Sequence, residues 1–275
     1  MKTVVKASRA EAWLESARML FKEHERIYNL VIEVEDPKLE SDATKAIEKR
    51  VDAFLAAHNC QPVQTVSDTI FPAAEYKSGG LEKVYAYPTE VFPHIRNIPA
   101  NRKGTYALRL VERKCSDGTV MRPLEIVINK LKAELATSSP KRAVYELDTS
   151  LEPLELKFYE AETDYNNGRG GQCLSHVSLK LGPNKELYLT AVYRYQYFMQ
   201  KALGNLKGLA RLQDCIAREV GIPVGPLVCH ATLAVLEEGD GMGGQTRWGR
   251  GELEKLVEDC LAIQAQATAG EHVEA

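Results

Sequence analysis

The sequence predicts an α/β fold. Apolar residues recur with a period near 3.6 in the longer segments and near 2 in the shorter ones, and the two kinds of segment alternate along the chain. Clusters of turn-forming residues, such as "GPNK" at 182–185, separate the alternating runs. With 275 residues, 44% of them apolar and 27% charged, the chain can bury the core of one large domain.

In "SRAEAWLESARMLFKEHE", Trp13, Leu14, Ala17, Leu20 and Phe21 fall at helical spacing behind Ser8, a candidate N-cap. "YNLVIEVEDP" reads as a strand closed by Pro37, and "SDATKAIEKRVDAFLAAH" as a helix with Ile47, Val51, Phe54 and Leu55 on one face. Residues 1–94 are thus an α/β section with no chemical motif, running into the proline-dotted "YAYPTEVFPHIRNIP".

Residues 104–112 suit a strand, "SDG" a turn, and Pro123 the first position of a helix with Leu124, Val127, Ile128, Leu131 and Leu135 on its apolar face. "KRAVYELDTS" reads as a short strand. "QCLSHVSLKL" and "ELYLTAVYRY" are alternating strands that "GPNK" joins into a hairpin. "KALGNLKGLARLQDCIAREVGI" is a helix with Leu206, Leu209, Gln213, Ile216 and Val220 near its core side, ending at Gly221. A strand, "VGPLVCHATLAVLEE", and a loop, "GDGMGGQTRWGRG", precede a short helix around Leu253, Leu256, Val257 and Leu261. Residues 265–275 are expected to be a disordered tail.

The formal charge of −3, from 35 basic and 38 acidic residues dispersed along the chain, gives no footprint for a nucleic-acid polymer or a membrane surface. No run approaches the about 18 apolar residues of a membrane helix, and "MKTVVKASRAEAW" lacks a signal's apolar region, so a cytoplasmic location is expected. Six scattered cysteines without a CxxC read as free thiols, five of them as small apolar side chains. The loop after residue 239 lacks the Gly-Lys-Ser/Thr ending of a phosphate cradle.

Cys173 is different. In "GRGGQCLSHVSLKL" a glycine-rich run delivers it to the start of a strand; glycines give a ligand access to the backbone, and cationic neighbours favour a thiolate. Arg169 precedes it and Arg194 leaves the partner strand of the same hairpin. For a Cys/His hydrolase, strict alternation puts His176 on the opposite face, leaving His230 as the candidate partner.

The order of these elements resembles the C-terminal half of the thymidylate synthase family: a cysteine strand, a strand carrying an arginine in "VYRYQYF", then "LGNLKGLARLQDCIAREVGIPVGPL". Arg194 matches the family's phosphate-binding arginine, Asn205 the asparagine that reads the pyrimidine edge, and Ala217 and Gly225 the pattern at the helix end. The interval from Arg194 to Asn205 is the family's own, and Cys173 falls within one residue of the nucleophile's place. Upstream, "GTYALRL…RPLEIVINKLKAELATSSPKRAVYEL" is similar to the family's tyrosine-containing segment with Tyr106, its "Gln-Ile-x-x-Val-Ile-x-x-Leu-Lys" helix and its Ser-Arg-Arg strand. Arg142 matches the second of those arginines, which reaches the partner's phosphate across a dimer. The resemblance covers about residues 95–240.

The resemblance implies an α/β (α+β) fold with a thymidylate-synthase-like core at 95–264, its mixed sheet packed with helices, and a homodimer formed through the sheet. It further implies transfer of a methyl or hydroxymethyl unit to C5 of a pyrimidine nucleotide, with Cys173 as nucleophile and 5,10-methylenetetrahydrofolate as donor. Arg194, Asn205, Arg142, Tyr106, Gln172 and Tyr195 would bind substrate. Departures are clear: Pro-Cys-His becomes Gln172-Cys173-Leu174, and the serine and aspartate after the phosphate arginine become Tyr195 and Tyr197. The sugar-reading His-x-Tyr falls on Val235 and Glu237. Tyr193, Tyr195 and Tyr197 would line one strand face, as packing or as a stacking wall. The alternative is a nucleotide-binding protein that keeps the fold but has lost one-carbon transfer.

Overall fold

The computed structural model describes residues 1–114, 118–137, 156–157, 172–236 and 248–271. Its strands are β1 (Lys2–Lys6), β2 (Arg26–Val34), β3 (Arg113–Lys114), β4 (Val120–Met121), β5 (Leu156–Lys157), β6 (Leu174–Leu181), β7 (Leu187–Tyr193), β8 (Gln196–Tyr197) and β9 (Val224–Val235). Among the described residues, β3 and β4 form a separate ribbon and the other seven strands one sheet, in the order β1-β2-β9-β7-β6-β5 with β8 also on β9. The sheet is mixed: β1 is parallel to β2, β2 antiparallel to β9, and β9 parallel to β7 and β8. The β6–β7 and β5–β6 pairs are antiparallel. Residues 1–94 therefore contribute two strands to the same sheet as the cysteine hairpin.

The helices are α1 (Arg9–Lys22), α2 (Asp42–Ala57), α3 (Val63–Ile70), α4 (Ala73–Tyr85), α5 (Tyr87–Glu90), α6 (Phe92–Ile95), α7 (Tyr106–Val111), α8 (Pro123–Leu135), α9 (Leu203–Val220) and α10 (Arg250–Glu271). α1 starts where the sequence expects: the Ser8 side chain accepts from the Glu11 amide, and the Glu11 carboxylate accepts from the Ser8 amide. Ser41 caps α2, and Pro123 opens α8. Gly221, at φ 81°, closes α9 in the left-handed region that glycine tolerates.

Period-2 patterning decides which side of the sheet is covered. Leu30 and Ile32 of β2, Leu227, Cys229 and Ala231 of β9, Leu187, Leu189 and Ala191 of β7 and Val177 and Leu179 of β6 are buried in the core. α1 lies on β1 and β2, and α9 on β7 and β9; α2, α3, α8 and α10 pack behind these two. The alternate residues, among them Val31, Glu33, Ser178, Tyr188, Thr190, Val192, Val228 and His230, are half-buried on the opposite face.

α9 is fastened to the sheet by one amide. Gln213, fully buried, donates through Nε2 to the carbonyls of Leu187 (2.7 Å) and Gly225 (2.9 Å), at the starts of β7 and β9. Gln213→Leu keeps the volume but leaves those carbonyls unpaired. It is expected to cost about 2–3 kcal/mol in a denaturant-unfolding measurement.

Two expectations are corrected. Residues 104–112 are not a strand: the Thr105 hydroxyl accepts from the Leu108 amide (3.1 Å) and caps α7, which buries Ala107, Leu110 and Val111 at helical spacing. The tail expected at 265–275 is helical as far as Glu271, in an Ala- and Gln-rich stretch without a breaker. The expected strand at "KRAVYELDTS" lies outside the described residues, as does the loop "GDGMGGQTRWGRG" up to residue 247; its last two residues, Arg250 and Gly251, already belong to α10.

Candidate functional site

Cys173 sits immediately before β6, half-buried against the core. Its backbone is held from two sides. The amides of Cys173 and Leu174 both donate to Tyr106 Oη, each at 3.0 Å, and the Arg194 amide donates to the Cys173 carbonyl at 2.9 Å. Gln172 Nε2 donates to the Gly104 carbonyl at 2.8 Å, so the residue before the thiol is tied to the turn before α7. Four of the residues singled out in the sequence, Tyr106, Gln172, Cys173 and Arg194, therefore meet at one place, contributed by α7, the start of β6 and the end of β7.

The thiol's electrostatics are a contest. Burial raises its pKa above the ordinary value, while Arg194 and Lys201 pull it back; burial wins, and the thiol is neutral at pH 7. Beneath it lie two phenols. The hydroxyl end of Tyr106 is buried, which pushes its pKa up, with Cys173 adding to the rise and the two donated amide bonds opposing it. Tyr193 is 1% exposed, and its hydroxyl has no hydrogen-bond partner among the described residues. Burial raises this phenol well above its ordinary value, with further contributions from Tyr106, Cys229 and Cys173.

The Arg194 side chain is exposed. The chain bends at residues 194–195, between β7 and β8, and the Thr232 hydroxyl of β9 donates to the Arg194 carbonyl there (2.8 Å). This bend corrects the single tyrosine face expected from alternation. Tyr193 and Gln196 both turn into the core, whereas the half-exposed rings of Tyr195 and Tyr197 pack on each other at a centroid distance of 4.8 Å.

After β8 the chain makes a π-helical turn, Phe198–Ala202, that runs directly into α9. Phe198 stacks on Trp13 of α1 with a 6.4 Å centroid separation, so the N-terminal section braces this turn. Asn205 lies in the first turn of α9 and is 6% exposed. It is inside a continuous helical run and does not cap it. Arg142 lies outside the described residues.

The histidines fall elsewhere. His176 pairs with Val192, whose neighbours Ala191 and Tyr193 are core residues, so it projects from the opposite face. A β-bulge between Leu174 and His176 interrupts the alternation on which the sequence argument rested. His230 bonds through Nε2 to Asn29 Oδ1 (3.1 Å). Among the described residues, the cations acting on Cys173 are Arg194 and Lys201. Lys201 was not singled out in the sequence, although its placement four residues before Asn205 was the available signal.

Among the described residues no cluster of three or more His, Cys, Asp or Glu side chains is arranged for a metal, and no helix is long and apolar enough to cross a membrane. The chain matches no protein-family model and no curated protein.

Proposed function

We propose that this chain is a thymidylate-synthase-like enzyme that adds a one-carbon unit to C5 of a pyrimidine nucleotide, with Cys173 as its nucleophile. The observation that carries the reading is the setting of Cys173. Its backbone is pinned by Tyr106 Oη and by the Arg194 amide, and Arg194, an exposed residue, is the candidate phosphate ligand. The thiolate attacks C6, the C5–C6 π pair moves onto the ring, and C5 becomes the nucleophile.

Each residue of the chain has a task in that step. Arg194, joined by Arg142 from a second copy, clamps the phosphate dianion; Asn205 both donates to and accepts from the base edge. Tyr106 and Gln172 hold the Cys173 backbone so that the thiol meets C6 without further ordering. The half-exposed Tyr195–Tyr197 pair offers an aromatic face for the ring of a reduced folate. Bound there, 5,10-methylenetetrahydrofolate would supply the one-carbon electrophile. The reading includes a homodimer built sheet to sheet through the half-buried face of the sheet.

The test bypasses folate. The protein is incubated with 5-bromo-dUMP, 5-bromo-dCMP and the two ribonucleotide counterparts, with excess dithiothreitol to take up the bromine. Debromination of one of them is expected, and the preferred analogue names the base and sugar. Nucleotide binding without debromination of any analogue would instead establish a binding protein that keeps the fold.

A further inference from the structure

We propose that the cleft between the loop after β2 and the outward side of α9 is a second binding site, for a phosphate group, free or carried by a small molecule. None of the residues that meet at Cys173 lines it, and it does not rest on the pyrimidine reading.

The cleft holds about 160 Å³, more than ten times the about 10–15 Å³ that one water needs, so a phosphate group fits. One wall is Arg9, the first residue of α1, with Lys38 and Glu40 of the loop. The other is Lys207, Ala210, Arg211 and Asp214 of α9. Their spacing, i, i+3, i+4 and i+7, is that of a helix face turned to a neighbour, and such a face packs closely when it is apolar. Here three of the four are charged, and the loop opposite is charged as well. The result is a polar cleft in place of a packed contact.

Its floor is cationic and buried. The side chain of Arg9 is 3% exposed and that of Lys207 13%, whereas Lys38 and Glu40 at the mouth are about half exposed. Both floor cations share Glu48: Lys207 is hydrogen-bonded to it, and Arg9 Nη2 is 3.9 Å from its Oε1. Asp214 lies between Lys38 (3.1 Å) and Arg218 (2.8 Å), and Gln64, Ser67 and Asp68 of α3 fix the Arg211 guanidinium. Among the described residues, these ion pairs together with Glu40 on Arg9 join five cations to four carboxylates. Arg9 also keeps a donor in hand. Its Nη1 donates to the Pro37 carbonyl and its Nη2 to Glu40, while its Nε is buried without a hydrogen-bond partner among the described residues. An unpaired buried N–H costs about 1–3 kcal/mol, which a ligand oxygen would recover. Nε and Nη2 form one edge of the guanidinium, so a phosphate that displaces the exposed Glu40 would accept from both, as a bidentate pair. Glu40 occupies half of that edge as a stand-in for the ligand.

Equilibrium dialysis at constant ionic strength, with inorganic phosphate and with glycerol phosphate as probes, reads binding directly; thermal melting checks that each variant is folded. Saturable binding is expected. Lys207→Gln, which can still donate to Glu48, and the mouth variant Lys38→Gln/Arg211→Gln should each weaken it about tenfold. Glu40→Gln removes the competing charge and should tighten it about three- to fivefold. Arg194→Ala should leave this binding unchanged, which separates it from the phosphate contact assigned to the nucleotide. Tighter binding of inorganic phosphate would name the free ion as ligand, and tighter binding of the ester a phosphorylated small molecule. Three results would overturn the proposal: no saturable binding of either probe, binding that the cleft variants leave intact, or weaker binding in Glu40→Gln. The last would make the cluster a structural ion-pair network.

Discussion

Cys173→Ala is expected to abolish debromination, a loss of at least about 10⁴-fold, because no other described thiol shares the position. Stability should change by less than about 1 kcal/mol, since only one half-buried sulfur is removed. The wild-type pH profile is the sharper check. Burial keeps the folded thiol's pKa above its ordinary value, against Arg194 and Lys201, so the thiolate is a minor species near pH 7. The rate should then climb about tenfold per pH unit through the neutral range and level off only above the ordinary thiol range. Linkage runs the other way. A raised folded pKa contributes stability that is complete below the unfolded thiol's pKa and is lost as pH rises through the folded one. Cys229 and Cys260, each raised to about 12 by burial, add to that alkaline loss. Activity and stability therefore move oppositely above neutrality, and a rate flat from pH 6 to 8 would contradict a nucleophile held neutral by burial.

How much of this was legible depends on whether local chemistry or tertiary packing decides. The Ser8-x-x-Glu11 capping box, Pro123 and Gly221 mark helix ends through their own hydrogen bonds and backbone limits, so sequence sufficed there. "TYALRLV" shows why it failed elsewhere: Tyr106, Leu108 and Leu110 alternate as in a strand, while Ala107, Leu110 and Val111 repeat as in a helix. The Thr105 cap and the packing of α7 against α3 and α8 settle it for the helix. Alternation also mispredicts the tyrosines, because the bend at 194–195 is set by pairing of β8 to β9, a long-range contact. At the site, Tyr106 and Cys173 are far apart in sequence; the glycine-rich run marked Cys173, but only the resemblance pointed to Tyr106. Lys201 needed the π-turn, which shows no separate signal in the apolar pattern.

Gly204→Val is expected to destabilise the protein by about 3 kcal/mol or more, measured from the denaturant midpoint. At Gly204 an added Cβ would lie 2.6 Å from Val66 Cβ, 2.7 Å from its Cγ1 and 2.9 Å from the Val63 carbonyl oxygen. Rotation of Val66 can move Cγ1 but not Cβ, and the Val63 carbonyl belongs to the backbone of α3, so the two helices must separate. Gly208 one turn on meets the same helix, at Ile70 and the Ser67 carbonyl, and gives α9 no room to pivot about its first turn. Glycine is otherwise a poor helix residue, by about 1 kcal/mol against alanine, so its presence here exchanges propensity for close approach. Gly251 in α10, with open space around it, is the control: Gly251→Ala should be neutral or slightly stabilising. The functional consequence follows from what α9 carries. Gly204 directly precedes Asn205, so separating α9 from α3 displaces that amide relative to Cys173, whose own anchors are on α7 and β7. A displacement near 1 Å is enough to cost about 10²-fold in rate. Debromination by Gly204→Val should therefore fall by that order at temperatures where the variant is still folded, while Cys173 alkylation persists. Full activity in a folded but destabilised variant would show that α9 does not position the reacting groups.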